Sequence, residues 1–479
     1  MKTPFKPKIY GSLSRVFHFV GRFGLVILLT ATVLLFPRPE GLSVAGHHAL
    51  AAFVFTAAIL ALEPVSLPIA ALMVPVAEVA LGIATAPQAF ETFSRPVVFL
   101  ILASLFLAEA LRKHGLTRRL AMKTIVLSGG GKGAVLFGLM GISAVFSMWV
   151  GNTATAAMLI PVALTIAKQI PEKKDSRKML SLLALGIAYS ASVGGMATIL
   201  GGAANAVASG FLAELGPWSF VDWMKYGIPS FLLLFPVTWA MLYKLVKVPV
   251  KQLDVSPAKE QVEKMGPMSP REKEVSWVLF FTAVLWVGGP FAGDLLGLPR
   301  SLFSSAIVAV MAVSYMAVRQ IITWEDVKGV SWGIFLIIGA GLSLGESLIR
   351  TGATQWFAGR IIPLVSGPHL LVTLMALVLL SALLTNLLNN TTIAAVFVPV
   401  LISVSADISG LSPVQVVLPV TLATTFGYSL PSASGRMALI SSTGMIEKTA
   451  MIKYGLIVTI VSSLALALLF YGFILADFI

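Results

Sequence analysis

The chain has no cysteine among its 479 residues, only five histidines, and 11% charged residues. Each scarcity excludes something. Without thiols there is no disulfide, no thiolate nucleophile and no sulfur-ligated metal. His18, His47, His48, His114 and His369 show none of the spacings of a zinc site. Soluble domains carry roughly 25% charged residues, so this chain has too little polar surface to meet water, and a soluble enzyme is excluded. Nor do polar linkers divide it into domains, one polar stretch near the middle apart, although a soluble chain of this length would split.

What is abundant is apolar. Hydrophobic residues make up 57% of the chain and the mean hydropathy is +0.92. Uncharged stretches such as 23–37 and 97–108 approach the roughly 20 residues that cross a bilayer. Apolar segments fall near 19–36, 46–62, 65–84, 96–111, 134–149, 153–168, 179–199 and 226–245. They resume near 276–293, 302–318, 332–347, 370–388, 392–405, 415–430 and 455–478. The pairs 134–149 with 153–168 and 370–388 with 392–405 are each split by a polar Asn-Thr element. Two half-length helices around a polar tip read as a re-entrant hairpin. The expected fold is an all-α polytopic membrane protein of about 11 transmembrane helices plus two such hairpins.

The net charge of +13 follows the topology and does not point to nucleic acid. Basic residues gather between the spans, at Arg112, Lys113, Arg118, Arg119 and Lys123, at Lys173, Lys174, Arg177 and Lys178, and from Lys244 to Lys273. By the positive-inside rule these loops are cytoplasmic, with the N-terminus inside and the C-terminus outside, in the plasma membrane. The outer loop from Ser405 to Gln415 has no Lys or Arg; Arg350 and Arg360 run against the rule. Phe36-Pro37-Arg38-Pro39 follows the first apolar run where a signal peptide would place small residues, so a retained first span is expected.

The halves resemble each other. Residues 101–111 align with 338–348, placing Glu109 on Glu346 at an offset of 237. Asn152-Thr153 with Pro161 aligns with Asn390-Thr391 and Pro399 at 238, and Lys225-Tyr226-Gly227 with Lys453-Tyr454-Gly455 at 228. An odd number of crossings per repeat makes the second repeat inverted, the pattern of secondary transporters with a midplane substrate site. The expected organisation is a first segment and span over 1–44, one repeat over 45–247, a cytoplasmic linker over 248–274 and the second repeat over 275–479.

The polar tips, Ser147 to Thr153 and Thr385 to Thr391, break membrane helices. A break exposes amides that attract anions at a helix N-terminus and carbonyls that coordinate a small hard cation. An Asn amide serves both, its oxygen a ligand and its nitrogen a donor. Further breaks follow each hairpin, at Gly194 to Asn205 and Gly427 to Met437, where glycine, proline and serine interrupt the span. Glu63, Glu109 and Glu346 are intramembrane or near-membrane acids that could relay protons; Glu109 and Glu346 share repeat positions near span ends beside basic residues and read as structural partners. Ser128 to Gly133 lacks the spacing and the hydroxyl of a phosphate loop and reads as a cytoplasmic turn.

In these motifs the chain resembles the divalent anion/sodium symporter family, carriers of di- and tricarboxylates and of sulfate. That family bears Ser-Asn-Thr at each hairpin tip and Gly/Ala-Thr/Ser-Pro-Pro-Asn in each broken helix; here Gly151-Asn152-Thr153 and Asn389-Asn390-Thr391 stand at the tips. The similarity runs from about Gly41 to the end. It implies a protomer, usually dimeric, whose transport domain slides against a scaffold in elevator fashion. It also implies one Na⁺ site at Ser147, Gly151, Asn152 and Gly201, and a second at Thr385, Leu388 (by its carbonyl), Asn390 and Ala433. Substrate carboxylates would meet Asn152, Thr153, Gly202, Asn390, Thr391 and Ser434.

The departures are Gly151 and Asn389 for serine, and Ala203-Ala204-Asn205 and Gly435-Arg436-Met437 for Pro-Pro-Asn. Arg436 is a charge within a span, which is costly and marks function. One reading has it grip a substrate carboxylate; another has it supply fixed charge where the second Na⁺ would sit, favouring exchange. A third has it snorkel to the rim or pair with Glu447. The function expected is Na⁺-coupled import of a small dianion such as succinate, malate or fumarate, with no enzymatic activity and membrane lipid around a homodimer. The alternatives are a sodium-independent di- or tricarboxylate exchanger, a sulfate carrier and, from another class, an anion channel.

Overall fold

The computed structural model describes residues 10–365, 369–405, 411–442 and 446–479. Lys2, Lys6 and Lys8 and part of the expected outer loop 405–415 lie outside them. In lipid every backbone amide must be bonded within its own segment, which favours helix. Among the described residues the only pairing of strand type is an isolated bridge between Gly131 and Gln252.

The first half contains α1 (Tyr10–Leu35), α2 (Val44–Leu62), α3 (Leu67–Ala80), the short α4 (Ala86–Glu91), α5 (Pro96–Lys113) and α6 (Leu116–Leu127). It continues with α7 (Lys132–Val150), α8 (Asn152–Ala167), α9 (Lys173–Gly195), α10 (Ala203–Leu215) and α11 (Phe220–Leu245). After α12 (Ser256–Met265) come α13 (Pro270–Leu296), α14 (Ser305–Val318), the short α15 (Trp324–Val327), α16 (Gly333–Arg350) and α17 (Ala353–Val365). The chain closes with α18 (Leu370–Leu384), α19 (Asn390–Ser405), α20 (Pro413–Ala423), α21 (Gly435–Ser442) and α22 (Lys448–Leu475). Every expected apolar segment lies on a helix for most of its length. Six described helices are long and apolar enough to cross a bilayer, and a pair bent by 46° at Arg95, 86–94 with 96–113, makes a seventh. Most of the other expected spans are shorter apolar helices, α8, α18 and α19 among them; α13 is 27 residues long. The result is an all-helical, multi-pass membrane protein.

Helices α6, α10 and α17 escaped the reading by apolar runs. In α6 the reason is plain: Arg118, Arg119 and Lys123 interrupt its apolar face. The stretch 248–274 is also more ordered than a solvated linker. Arg119 is buried, and its Nε donates to Glu272 Oε1 at 2.7 Å while Nη1 donates to the Gly266 carbonyl at 2.6 Å. This ion pair fastens the turn before α13 to α6. Glu109 pairs with Arg112, and Arg95 with both Glu214 and Glu346, as expected of structural acids. Glu63 ends α2 exposed, in a left-handed turn (φ 46°).

A second surface pair carries a pH signature. Lys113 Nζ donates to Asp326 Oδ2 at 2.6 Å and holds that carboxyl down at about 2, from an ordinary 3.8. A depressed folded-state pKa stabilises above the unfolded value and ceases to do so as pH falls through the folded one. The contribution is therefore full above about pH 4 and lost towards about pH 2. Lys113→Met is expected to lower the thermal midpoint of the detergent-solubilised protein near neutrality, the difference from wild type shrinking over that acid window. An unchanged difference across the window would contradict the assignment.

Candidate functional site

Two helical hairpins build the site. Gly151 alone joins α7 to α8, at φ 81° and ψ 151°, a conformation open in practice to glycine. Ser143 Oγ donates to the Ile187 carbonyl at 2.7 Å, and Thr198 Oγ1 donates to the Met148 carbonyl, so α7 and α9 advance side by side. Asn152 lies against Gly195 near the end of α9, while Ser176 Oγ near its start bonds the Ala167 carbonyl. Helix α8 therefore runs back along α9, and α7 and α8 form the expected hairpin. Its seat is tight: a Cβ on Gly194 would stand 2.2 Å from the Ala144 carbonyl oxygen.

The second half repeats the local chemistry. Ser381 Oγ donates to the Val420 carbonyl at 2.9 Å and Thr385 Oγ1 to the Thr424 carbonyl at 2.6 Å, setting α18 alongside α20. Asn386 Oδ1 accepts from the Ser429 amide at 2.8 Å. Leu388 lies in the turn that leads into α19.

The broken helices also match. Helix α9 stops at Gly195, a 3₁₀ turn covers Ile199–Gly201, Gly202 is extended (φ −164°, ψ 145°), and α10 begins. In the second half a 3₁₀ turn covers Pro431–Ala433, Ser434 is extended (φ −166°, ψ 157°), and α21 begins. Asn205 ties the first break by donating to the carbonyls of Gly195 (2.8 Å) and Thr198 (2.9 Å). Met437 cannot do this in the second. There Arg436, buried at 2% exposure, donates from Nη2 to the Thr425 carbonyl at 2.7 Å.

Oxygen atoms converge at both tips. The Asn152 carboxamide reaches Ser147 Oγ (2.5 Å), the Gly201 carbonyl (2.8 Å) and the Ala191 carbonyl (2.9 Å). With nitrogen inward its two hydrogens are shared among the three; with oxygen inward, a fourth neutral oxygen joins the cluster. That set fits a small hard monovalent cation, which needs oxygen ligands and no carboxylate. In the second half Thr385 Oγ1 lies 2.6 Å from both Asn390 Oδ1 and the Thr424 carbonyl. Ser147 and Thr385 are fully buried.

Above these clusters lies one cavity of about 1120 Å³. Asn152, Thr153, Gly202, Asn390, Thr391, Ser434 and Arg436 all line it, together with Gly151, Gly201 and Ala433. Ser147, Thr385 and Leu388 are not on its wall. The first residues of α8, α10, α19 and α21 line it too, so four positive helix ends face one space. Thr153 and Gly435 touch: a Cβ on Gly435 would stand 2.9 Å from Thr153 Oγ1. Helices α5 and α16 add apolar wall through Ile101, Leu105, Ile334 and Ile337, and Glu109, Arg112, Arg118 and Gln261 ring one end. The rim-seeking reading of Arg436 fails here: the side chain is buried, Glu447 is exposed, and no ion pair joins them among the described residues.

Sequence reasoning missed Ala191 and Thr424. Both act through carbonyls, which carry no signature of residue type. Asn205 was named as the end of the first break but not as the side chain that ties it.

Residues 18–476 match the family described as the sodium:sulfate symporter transmembrane region. An uncharacterized transporter of Haemophilus influenzae is 31% identical over 434 residues, covering 89% of this chain and 92% of that protein. SdcS of Staphylococcus aureus, a sodium-dependent dicarboxylate transporter, is 27% identical over 472 residues, covering 94% and 90%. Among solved structures, MtrF of Neisseria gonorrhoeae, of a class of antimetabolite efflux pumps, superimposes with a TM-score of 0.54 at 13% identity, covering 95% of this chain and 94% of that one. That likeness is one of fold alone.

Proposed function

The chain belongs to the sodium:sulfate (divalent anion/sodium) symporter family of transporters, and from that membership we propose that it is a secondary carrier of a C4-dicarboxylate such as succinate, malate or fumarate, with Na⁺ as a coupling ion. The observation that carries the reading is the convergence of both tips and both breaks on one cavity. A dianion there meets four helix N-termini, the amides of Asn152 and Asn390, and the hydroxyls of Thr153, Thr391 and Ser434. The oxygen cluster around Asn152 supplies the cation site. Cation and dianion stabilise each other across a few ångströms, and mutual stabilisation of this kind is what coupling consists of.

The two halves act as inverted repeats, and the site changes exposure by an elevator-type movement of the hairpins and broken helices within a homodimer. With the N-terminus in the cytoplasm of a plasma-membrane protein, the Glu109, Arg112 and Arg118 end of the cavity is the inner mouth. A sodium-independent exchanger is the second reading, favoured by the buried Arg436. Uptake of labelled succinate into proteoliposomes tests the reading: a wild-type signal above protein-free vesicles, enhanced by an inward Na⁺ gradient, is expected. Sulfate transport without dicarboxylate transport would overturn the substrate class.

A further inference from the structure

The Lys-Tyr-Gly motif shared by the halves, Lys225-Tyr226-Gly227 on α11 and Lys453-Tyr454-Gly455 on α22, takes no part in the cavity wall. Its glycines make the same contact in each half. A Cβ on Gly227 would stand 2.4 Å from the Met196 carbonyl oxygen and 2.9 Å from that of Ala197. A Cβ on Gly455 would stand 2.4 Å from the Tyr428 carbonyl oxygen and 2.6 Å from the Cα of Ser429. Met196 follows the last residue of α9, and Tyr428 lies between the 3₁₀ turns 424–426 and 431–433. Each glycine therefore seats the unwound backbone of one break.

Carbonyls released from a helix in lipid need new donors. One turn from each glycine the same helix supplies one. Trp223 Nε1 donates to the Met196 carbonyl and Thr459 Oγ1 to the Phe426 carbonyl, both at 2.9 Å; both side chains are fully buried.

From each seat the contacts run on to a tip. In the first half a Cβ on Gly201 would stand 2.1 Å from the Gly195 carbonyl oxygen, and one on Gly195 would stand 2.3 Å from Asn152 Oδ1. The Gly201 carbonyl belongs to the Asn152 cluster. In the second half the Ser429 amide donates to Asn386 Oδ1 at 2.8 Å, and a Cβ on Gly427 would stand 3.0 Å from the Thr385 carbonyl oxygen. Ser434, just past this break, lines the cavity.

We infer that Gly227 and Gly455 are positioning residues: resting on the reading of the tips as Na⁺ and dianion sites, Gly227 sets the geometry of the Na⁺ cluster and Gly455 that of the dianion's contacts in the second half. A methyl carbon sits about 3.5 Å from its neighbours, so alanine at either place pushes the break by roughly an ångström. A displacement of that size is enough to spoil a site it never touches.

The test measures half-saturation for Na⁺ and for succinate in proteoliposomes. Gly227→Ala is expected to raise the Na⁺ concentration for half-maximal uptake at least about tenfold. Gly455→Ala should raise the succinate concentration at least about tenfold, with that for Na⁺ within about threefold of wild type. Gly472→Ala, the same change on α22 where a Cβ meets open space, should move neither. A merely structural role lowers the maximal rate and leaves both half-saturations alone, so a wild-type value of the named constant in either variant overturns the inference. If the alanine proteins do not fold, Trp223→Phe and Thr459→Val, which remove one donor each, should raise the same constants at least about threefold; wild-type values there overturn it too. Wild-type uptake indifferent to Na⁺, or no succinate uptake by the wild type at all, would instead overturn the reading of the site itself.

Discussion

Asn152→Ala is expected to reduce succinate uptake by at least about 100-fold, to the level of protein-free vesicles, and Asn390→Ala to do the same. The carboxamide of Asn152 is the group around which Ser147 Oγ and the carbonyls of Ala191 and Gly201 are arranged. Removing it leaves buried acceptors without a partner, at about 1–3 kcal/mol for each group that water cannot reach. It also deletes a cavity-facing amide at the first turn of α8. Asn390 holds the matching place at the start of α19, where its oxygen accepts from Thr385. On the proposed reading one anion meets both tips, so the two losses do not compensate each other. Both proteins should remain monodisperse, since the hairpins are also held along their length through Ser143, Ser176 and Ser381. Normal uptake by both variants would remove the tips from the mechanism.

Gly194→Val should abolish folded protein. A Cβ at this position would stand 2.2 Å from a backbone oxygen and 2.4 Å from the Cα of Ala144, so no rotamer change relieves it and α7 must leave α9. Overpacking of a core costs typically 1–3 kcal/mol where side chains can yield; here the obstacle is backbone, and the cost is larger. Gel filtration after solubilisation reads the outcome: aggregated or absent protein is expected. A monodisperse, active Gly194→Val protein would show that the α7–α9 seat is not as close as described. Gly151 makes a contrast, since it has open space around it and its constraint is conformational.

How much of this was legible beforehand depended on the physical nature of each feature. Spans announce themselves because lipid demands long apolar runs, and so α2, α9, α11 and α22 were visible as such. The tips were visible because Asn and Thr at the middle of apolar segments need a reason to be there, and the same reason occurs twice. Helix α6 was not visible, because a helix at an interface carries Arg118 and Arg119 among its leucines. The order in 248–274 was hidden for a related reason: a polar stretch looks alike whether it is solvated or held by one buried pair such as Arg119–Glu272. Arg436 was conspicuous as a residue but not as a situation. Whether a long cationic side chain reaches the rim or turns inward is decided by what holds it, here the Thr425 carbonyl, which carries no signature of residue type.

The cavity above the tips is far roomier than a four-carbon dianion requires. Its floor is polar and its walls, Ile101 and Leu105 on α5 and Ile334 and Ile337 on α16, are apolar. Discrimination among anions is therefore a property of the floor, where charge and hydrogen bonds are counted. On the proposed reading the walls measure nothing about a small dianion held at the floor. For pharmacology this is an opening: a dicarboxylate bearing an apolar extension would seat its charged end as the substrate does and bury its tail against α5 and α16. Such a molecule would be held too broadly to be carried onwards.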